Sequence, residues 1–207
     1  MSRFITFEGI EGSGKTTQIK LAKDYLEARG FSLVATDEPG GTPLGKIIRE
    51  MLLNVGPYSI SPCAELLLFV AARAQHVEEV IKPALQQGKL VLCDRFLDAT
   101  LAYQGWGRGL DRTFIQALHN FATTSLLPDL TILLDLPAET GLRRALERIA
   151  QRRGVCPEDR FEPIQEHDAL PVDDACEPAH AGLLYAIATD LPRPVDAAGP
   201  VFELLNF

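Results

Sequence analysis

Short apolar runs alternate along this chain with stretches in which apolar residues recur every three or four positions. Phe4 to Phe7 is one such run, and it breaks into a glycine turn, as a buried strand does at its end. From Lys15 to Ala28 the residues Ile19, Leu21, Ala22, Tyr25 and Leu26 keep helical spacing until Gly30 stops the pattern. Phe31 to Ala35 predicts a second strand, ended by the turn signal "EPGG". Leu44 to Leu53 predicts a helix, and Pro62 to Leu85 a long one with a break or kink near Pro83. Leu90 to Cys93 and Leu130 to Leu136 predict the third and fourth strands, with a helix from Phe114 to Thr123 between them. Glu139 to Arg152 predicts a helix crowded with arginine at its end. Strands alternating with helices imply an α/β fold, a parallel sheet covered on both faces. After Pro163 the periodicity weakens, and "HAGLLYAIATD" and "RPVDA" predict a last helix and a final strand.

Composition narrows the class. The 207 residues form a single domain (1–207), long enough for a proper core. No apolar run approaches the ~20 residues that cross a bilayer, so no membrane partner is expected. Glu8 and the glycines interrupt the N-terminal run too early for a secretory signal. Cys63, Cys93, Cys156 and Cys176 show no CxxC spacing and read as reduced thiols of a cytoplasmic protein. The net charge of −8 argues against nonspecific nucleic-acid binding. Its distribution is uneven: residues 163–207 hold eight acids, one base and six of the 14 prolines.

Chemistry enters at "GIEGSGKTT". Gly9, Gly14, Lys15 and Thr16 satisfy G-x-x-x-x-G-K-[ST], with the required strand before and helix after. Glycines let backbone N–H groups turn inward around phosphate oxygens, and the helix that follows adds its positive end. Lys15 reaches the outer phosphates, and the Thr16 hydroxyl is placed to bind Mg²⁺. The pattern specifies a nucleoside triphosphate and leaves the acceptor open. No "NKxD" base-reading signature of a switch GTPase is present.

A second constellation is "CDRFLDATLAYQGWGRG". Asp94 and Arg95 stand at the end of a predicted strand, where open α/β sheets bind ligands. A carboxylate there holds a magnesium shell or orients an attacking oxygen, and an arginine pairs with phosphate by two parallel hydrogen bonds. In "FVAARAQH", Phe69 and Arg73 fall at i and i+4 on one helix face, a ring and a guanidinium able to stack on a base and donate to it. A core Phe with a surface Arg is the plainer alternative, and His76 reads as structural.

The chain resembles the thymidylate kinases, nearest the bacterial type. The likeness rests on "FEGIEGSGKTTQ", "EPGGTPLGKIIRE", "LLLFVAARAQHVEEVIKPAL", "VLCDRFLDATLAYQG" and "PDLTILLDLP", in the family's order across Phe4 to Glu162. It implies a P-loop three-layer sandwich with a five-stranded, mostly parallel sheet. It implies ATP-dependent phosphorylation of thymidine monophosphate (dTMP) to dTDP, with ATP and Mg²⁺ bound and a homodimer packed through helices including the one from Pro62. The ATP-binding positions are then Gly9, Ile10, Glu11, Gly12, Ser13, Gly14, Lys15, Thr16 and Thr17. Phe69 stacks on thymine, Arg73 bonds its O4, Gln104 reads the base edge, and Tyr103 and Thr100 line the acceptor site. Arg49 and Arg95 hold the acceptor phosphate, Asp94 and Thr16 serve the metal, and Glu11 faces the acceptor's 3′-hydroxyl, while Glu8 ends the strand as a structural residue.

The bacterial type supplies a catalytic arginine from a lid, here about 143–162, because position 13 is Ser13 and not arginine. Arg148, Arg152, Arg153 and Arg160 are the candidates, with Arg153 and Arg160 preferred. The chain departs from the family at Asp37, where arginine commonly precedes "EPGG", at Ala72, and in the acidic, proline-rich tail from Pro163. The alternatives are a related P-loop kinase with another acceptor and a nucleotide-binding protein of low activity whose tail makes contacts.

Overall fold

The computed structural model of the protein describes residues 3–53 and 59–153, with backbone alone at Leu146 and from Ile149 on. Four strands are described: β1 (Arg3–Glu8), β2 (Leu33–Asp37), β3 (Leu90–Asp94) and β4 (Leu130–Leu133). They pair in parallel in the order β2-β3-β1-β4. The predicted fifth strand, like the tail helix, lies outside the described residues.

Alternation along the strands sets the two faces of the sheet. Phe4, Val91 and Cys93 point to one face and meet Leu66, Val70, Val77, Ile81, Ala84, Phe96 and Ile115. Ile5, Phe7, Leu90 and Leu92 point to the other and meet Ile19, Ala22 and Leu26 of α1 (Lys15–Glu27). Each fully buried Phe or Leu contributes on the order of 1.5–3 kcal/mol. Asp129 at the start of β4 caps the edge of β1, its Oδ2 accepting from the Phe4 N–H at 2.7 Å.

Helix α2 (Pro43–Leu53) packs on α3 (Pro62–His76) through Ile48, Leu52 and Ala72. Ser61 caps α3 by accepting from the Ala64 N–H, and Pro62 occupies the first turn, where no N–H is needed. The expected break near Pro83 takes another form. The helix widens into a π turn over Val77–Ile81 and then continues as α4 (Lys82–Gln86). Pro83 lacks the N–H that a regular turn requires, and the wider turn upstream accommodates it.

Beyond β3 the chain is helical where no element was predicted: α5 (Leu97–Thr100) runs into a π-helical stretch, Leu101–Gly107. Asp111 caps α6 (Arg112–Thr123) through the Phe114 N–H, starting it two residues earlier than predicted. Strand β4 stops at Leu133, short of the predicted Leu136, and α7 (Ala138–Arg153) closes the described chain. Neighbouring strands β1 and β3 send their helices to opposite faces, α1 to one and α5 with α6 to the other. A crevice therefore opens beyond their carboxyl ends.

Candidate active site

That crevice is a cleft of about 750 Å³, walled by the loop after β1, the end of β2, Arg49, Asp94, Arg95 and Arg148. The register fixes it: Phe7 and Asp37 both lie level with Asp94, so three strand ends finish together.

The loop from Gly9 to Gly14 is shaped by what a side chain would hit. A Cβ at Gly9 would fall 2.5 Å from the Leu134 carbonyl oxygen, and one at Gly12 would fall 2.2 Å from that of Gly141 in α7. Gly12 and Gly14 also have φ of +73 and +96, in the left-handed region. In this arrangement the Lys15 ammonium donates to the Gly9 and Ile10 carbonyls, both at 2.8 Å. Burial first, then Arg95, lowers the Lys15 pKa to about 8, with Asp94, Glu11 and Glu8 opposing. Ser13 Oγ is buried without a partner among the described residues.

Thr16 donates its hydroxyl to Asp94 Oδ2 at 3.0 Å, while Asp94 Oδ1 is buried and partnerless among the described residues. A hydroxyl and a carboxylate side by side, one oxygen unspent, are the donor set of a hydrated Mg²⁺. Arg95 has φ of +71, unusual for a residue with a side chain. Its N–H is held by the Phe7 carbonyl at 3.0 Å, and the N–H of Phe96 by Glu8 Oε1 at 2.7 Å. Burial, then the nearby Asp98, pushes the Glu8 carboxyl up to about 8, against Arg95 and Lys15. The Arg95 guanidinium stands 3.4 Å from the Tyr103 hydroxyl and 3.9 Å from Glu11. Glu11 also meets Arg148 of α7 at 3.4 Å. Desolvation works against ionisation of Glu11, and Arg95, Lys15 and Arg148 outweigh it, so its carboxyl sits below the ordinary range.

Behind the cleft lies a buried polar hub. Glu38 accepts from Arg73 Nε at 2.7 Å and pairs with His76 Nδ1 at 2.9 Å, and His76 Nε2 meets the Thr36 hydroxyl at 2.7 Å. Arg73 also donates from Nη2 to the Phe96 carbonyl and the Thr100 hydroxyl, both at 2.8 Å. Its Nη1 is buried with no partner among the described residues.

The thymidylate kinase family profile matches residues 7–169. The chain belongs to the thymidylate kinase family. It is 59% identical over 162 residues to the thymidylate kinase of Syntrophus aciditrophicus, covering 78% of this chain and 74% of that one. It is 58% identical over 204 residues to the thymidylate kinase of Pelobacter propionicus, covering 99% of this chain and 90% of that one. That second alignment runs on through the acidic stretch from Pro163, so the likeness does not stop there. The crystal structure of thymidylate kinase from Ehrlichia chaffeensis superposes with a TM-score of 0.62 at 42% identity, over 74% of this chain and 83% of that one.

Within this family fold, most of the residues singled out from sequence fall into two groups. Glu11, Gly12, Gly14, Lys15, Thr16, Thr17, Arg49, Asp94 and Arg95 line the cleft together. Phe69, Arg73, Thr100, Tyr103 and Gln104 are not among its walls; Arg73, with Thr100 bonded to it, joins the cleft through Glu38, and Tyr103 joins it through Arg95. Phe69 is half-buried against the α2–α3 cluster, and Gln104 is buried with its amide donating to Glu65 at 2.8 Å. His76 is buried between Glu38 and Thr36. Arg153 is described as backbone only, at the end of α7, and Arg160 lies outside the described residues.

Sequence reasoning passed over Glu38, Glu65 and the first turn of α7. Glu38 opens the turn signal "EPGG", and its place at a strand's carboxyl end is the usable signal. Glu65 binds both Gln104 and Arg108, a link across 39 and 43 residues that no local pattern announces. Gly141 packs against the P-loop backbone, where a Cβ would lie 2.4 Å from Ile10 Cδ1 and 2.5 Å from the Glu11 carbonyl oxygen.

Proposed function

We propose that this chain is a thymidylate kinase that transfers the terminal phosphoryl group of ATP to dTMP, giving dTDP. The observation that carries the choice of acceptor is Arg73. A buried guanidinium is held on three sides by Glu38, Phe96 and Thr100, with Nη1 left unspent. A buried donor without a partner calls for an acceptor, and a pyrimidine carbonyl supplies one. Phe69, one turn earlier on α3, offers its ring to the same base, and Gln104 and Tyr103 bound the rest of the acceptor site.

The triphosphate sits on the loop Gly9–Thr17, its charge met by backbone N–H groups and by Lys15, which gives up the Gly9 and Ile10 carbonyls to do so. Thr16 and Asp94 would hold Mg²⁺, which would supply positive charge beside the transferred oxygens. Arg95 and Arg49 draw the acceptor phosphate toward the donor, and Glu11 takes the sugar hydroxyl. The remaining cation comes from the lid, with Arg153 and Arg160 the preferred residues. Positioning and fixed positive charge then carry most of the catalysis.

The protein acts as a homodimer in the cytoplasm. Helices α3 and α6 pack on each other and leave Leu67, Phe114 and Phe121 in solvent, Phe121 at 87% exposure. Such side chains are commonly covered by a second copy. Sedimentation of the wild type as a monomer at micromolar concentration would remove the dimer, and cell fractionation tests the location.

The deciding assay couples ADP release to a panel of nucleoside monophosphates. dTMP should give the highest kcat/KM. Turnover with uridine, cytidine or guanosine monophosphate equal to that with dTMP would refute the acceptor assignment.

A further inference from the structure

Arg49 is held in an arrangement that the phosphate cradle described above does not account for. Its Nη1 donates to Asp37 Oδ2 at 3.2 Å and to the Pro39 carbonyl at 2.6 Å. Both hydrogens of Nη1 are thereby spent on the turn that follows β2. Nε and Nη2, which form the other edge of the guanidinium, have no protein partner among the described residues. That edge is the fork that meets two oxygens of a phosphate by parallel hydrogen bonds.

Asp37 is itself placed with care. It ends β2 level with Asp94, and both Asp37 and Arg49 line the cleft with Arg95. A Cβ at Gly40 would lie 2.7 Å from Asp37 Oδ2, so a larger residue there would push the carboxylate out of its present position. The Asp37–Arg49 pair is about half exposed, 52% and 43%, so solvent screens it and its direct contribution to folding is small. What it does fix is the direction in which the guanidinium points.

We propose that Asp37 is a positioning residue for the acceptor: it ties one nitrogen of Arg49 back so that the Nε–Nη2 edge is presented to the acceptor's phosphate. The inference rests on the acceptor assignment above. A flexible arginine must give up side-chain freedom on binding, and a side chain already anchored gives up less. The carboxylate's own charge lies beside an incoming anion, so the opposite outcome, relief of repulsion when Asp37 is removed, is a real competitor.

Steady-state kinetics on the full chain separate the two. Asp37→Ala should raise KM for dTMP about threefold to tenfold while KM for ATP and the melting temperature stay as in the wild type. Asp37→Asn keeps an acceptor oxygen and should recover most of the loss. In Arg49→Ala the acceptor KM also rises, and adding Asp37→Ala to it should cost nothing more. An unchanged or lower KM for dTMP in Asp37→Ala, or additive losses in the double variant, overturns the positioning role and leaves the kinase assignment standing. A wild type inactive on dTMP overturns both, since Asp37 would then have no acceptor phosphate to serve.

Discussion

Replacing Arg73 with methionine removes the charge while keeping most of the length and volume of the side chain. Arg73 and Glu38 are 3% and 6% exposed at the side chain and 2.7 Å apart. Opposite unit charges about 4 Å apart, centre to centre, attract by about 4 kcal/mol at an effective dielectric of ~20. Removing one partner of a buried pair typically costs about 3–5 kcal/mol, because the other charge stays buried. For a chain of this size that is a fall in melting temperature of about 6–20 °C. The pH dependence is specific. Burial pushes the Glu38 carboxyl up, and Arg73 and then His76 more than reverse it, holding it below the ordinary carboxylate range. A depressed carboxylate contributes stability above its unfolded pKa and loses it as pH falls through the folded value. Without Arg73 only His76 opposes burial, so the carboxyl rises from its wild-type position and the variant sheds part of its penalty by taking up a proton as pH falls. The gap between wild type and Arg73→Met should therefore widen as pH rises from 5 to 8, and Glu38→Gln added to Arg73→Met should narrow it. Urea unfolding at several pH values reads the gap directly. A shift below about 1 kcal/mol at neutral pH, or a gap that does not change with pH, would refute a buried charge pair at this position. Acceptor KM should rise in the same variant with KM for ATP little changed, because the proposed reading gives Arg73 a contact with the acceptor base and none with the triphosphate.

Two further outcomes follow from the loop. Only protonated Lys15 attracts phosphate, and its pKa in the free protein is about 8, so ATP binding should weaken as pH rises above that value. The dissociation constant should climb by up to about tenfold per pH unit, and Lys15→Met should abolish the dependence; a flat profile to pH 10 in the wild type would contradict the burial of Lys15. Gly12→Ala places a Cβ 2.2 Å from the Gly141 carbonyl oxygen at a φ of +73, so the loop or α7 must move. It should cost about 1–3 kcal/mol of stability and weaken ATP binding, read by thermal unfolding and calorimetric titration, and a variant matching the wild type in both would show that loop and helix are not in backbone contact.

What the sequence determined by itself was local. The run Phe4 to Thr17 shows its strand, its turn and its helix because apolar period and glycine geometry act over a few residues, and the phosphate cradle follows from them. Asp94 and Arg95 were legible as cleft-lining residues because the crevice of a parallel sheet opens beyond the strands' carboxyl ends. The helix from Leu97 to Gly107 was not legible, since Gly105 and Gly107 contradict it locally and packing of Leu97 and Leu101 on the core overrides them. The tertiary structure alone decided which partner each charge has. Arg73 was read as a group facing a base, and the fold gives it Glu38, 35 residues away, and Phe96 and Thr100 beyond β3. Asp37 is, in the sequence, only a departure from the family's usual arginine, and β2 and α2 bring it against Arg49. Such pairings depend on distances between elements, and a pattern of apolar and polar positions fixes which face each residue occupies but not what stands opposite it.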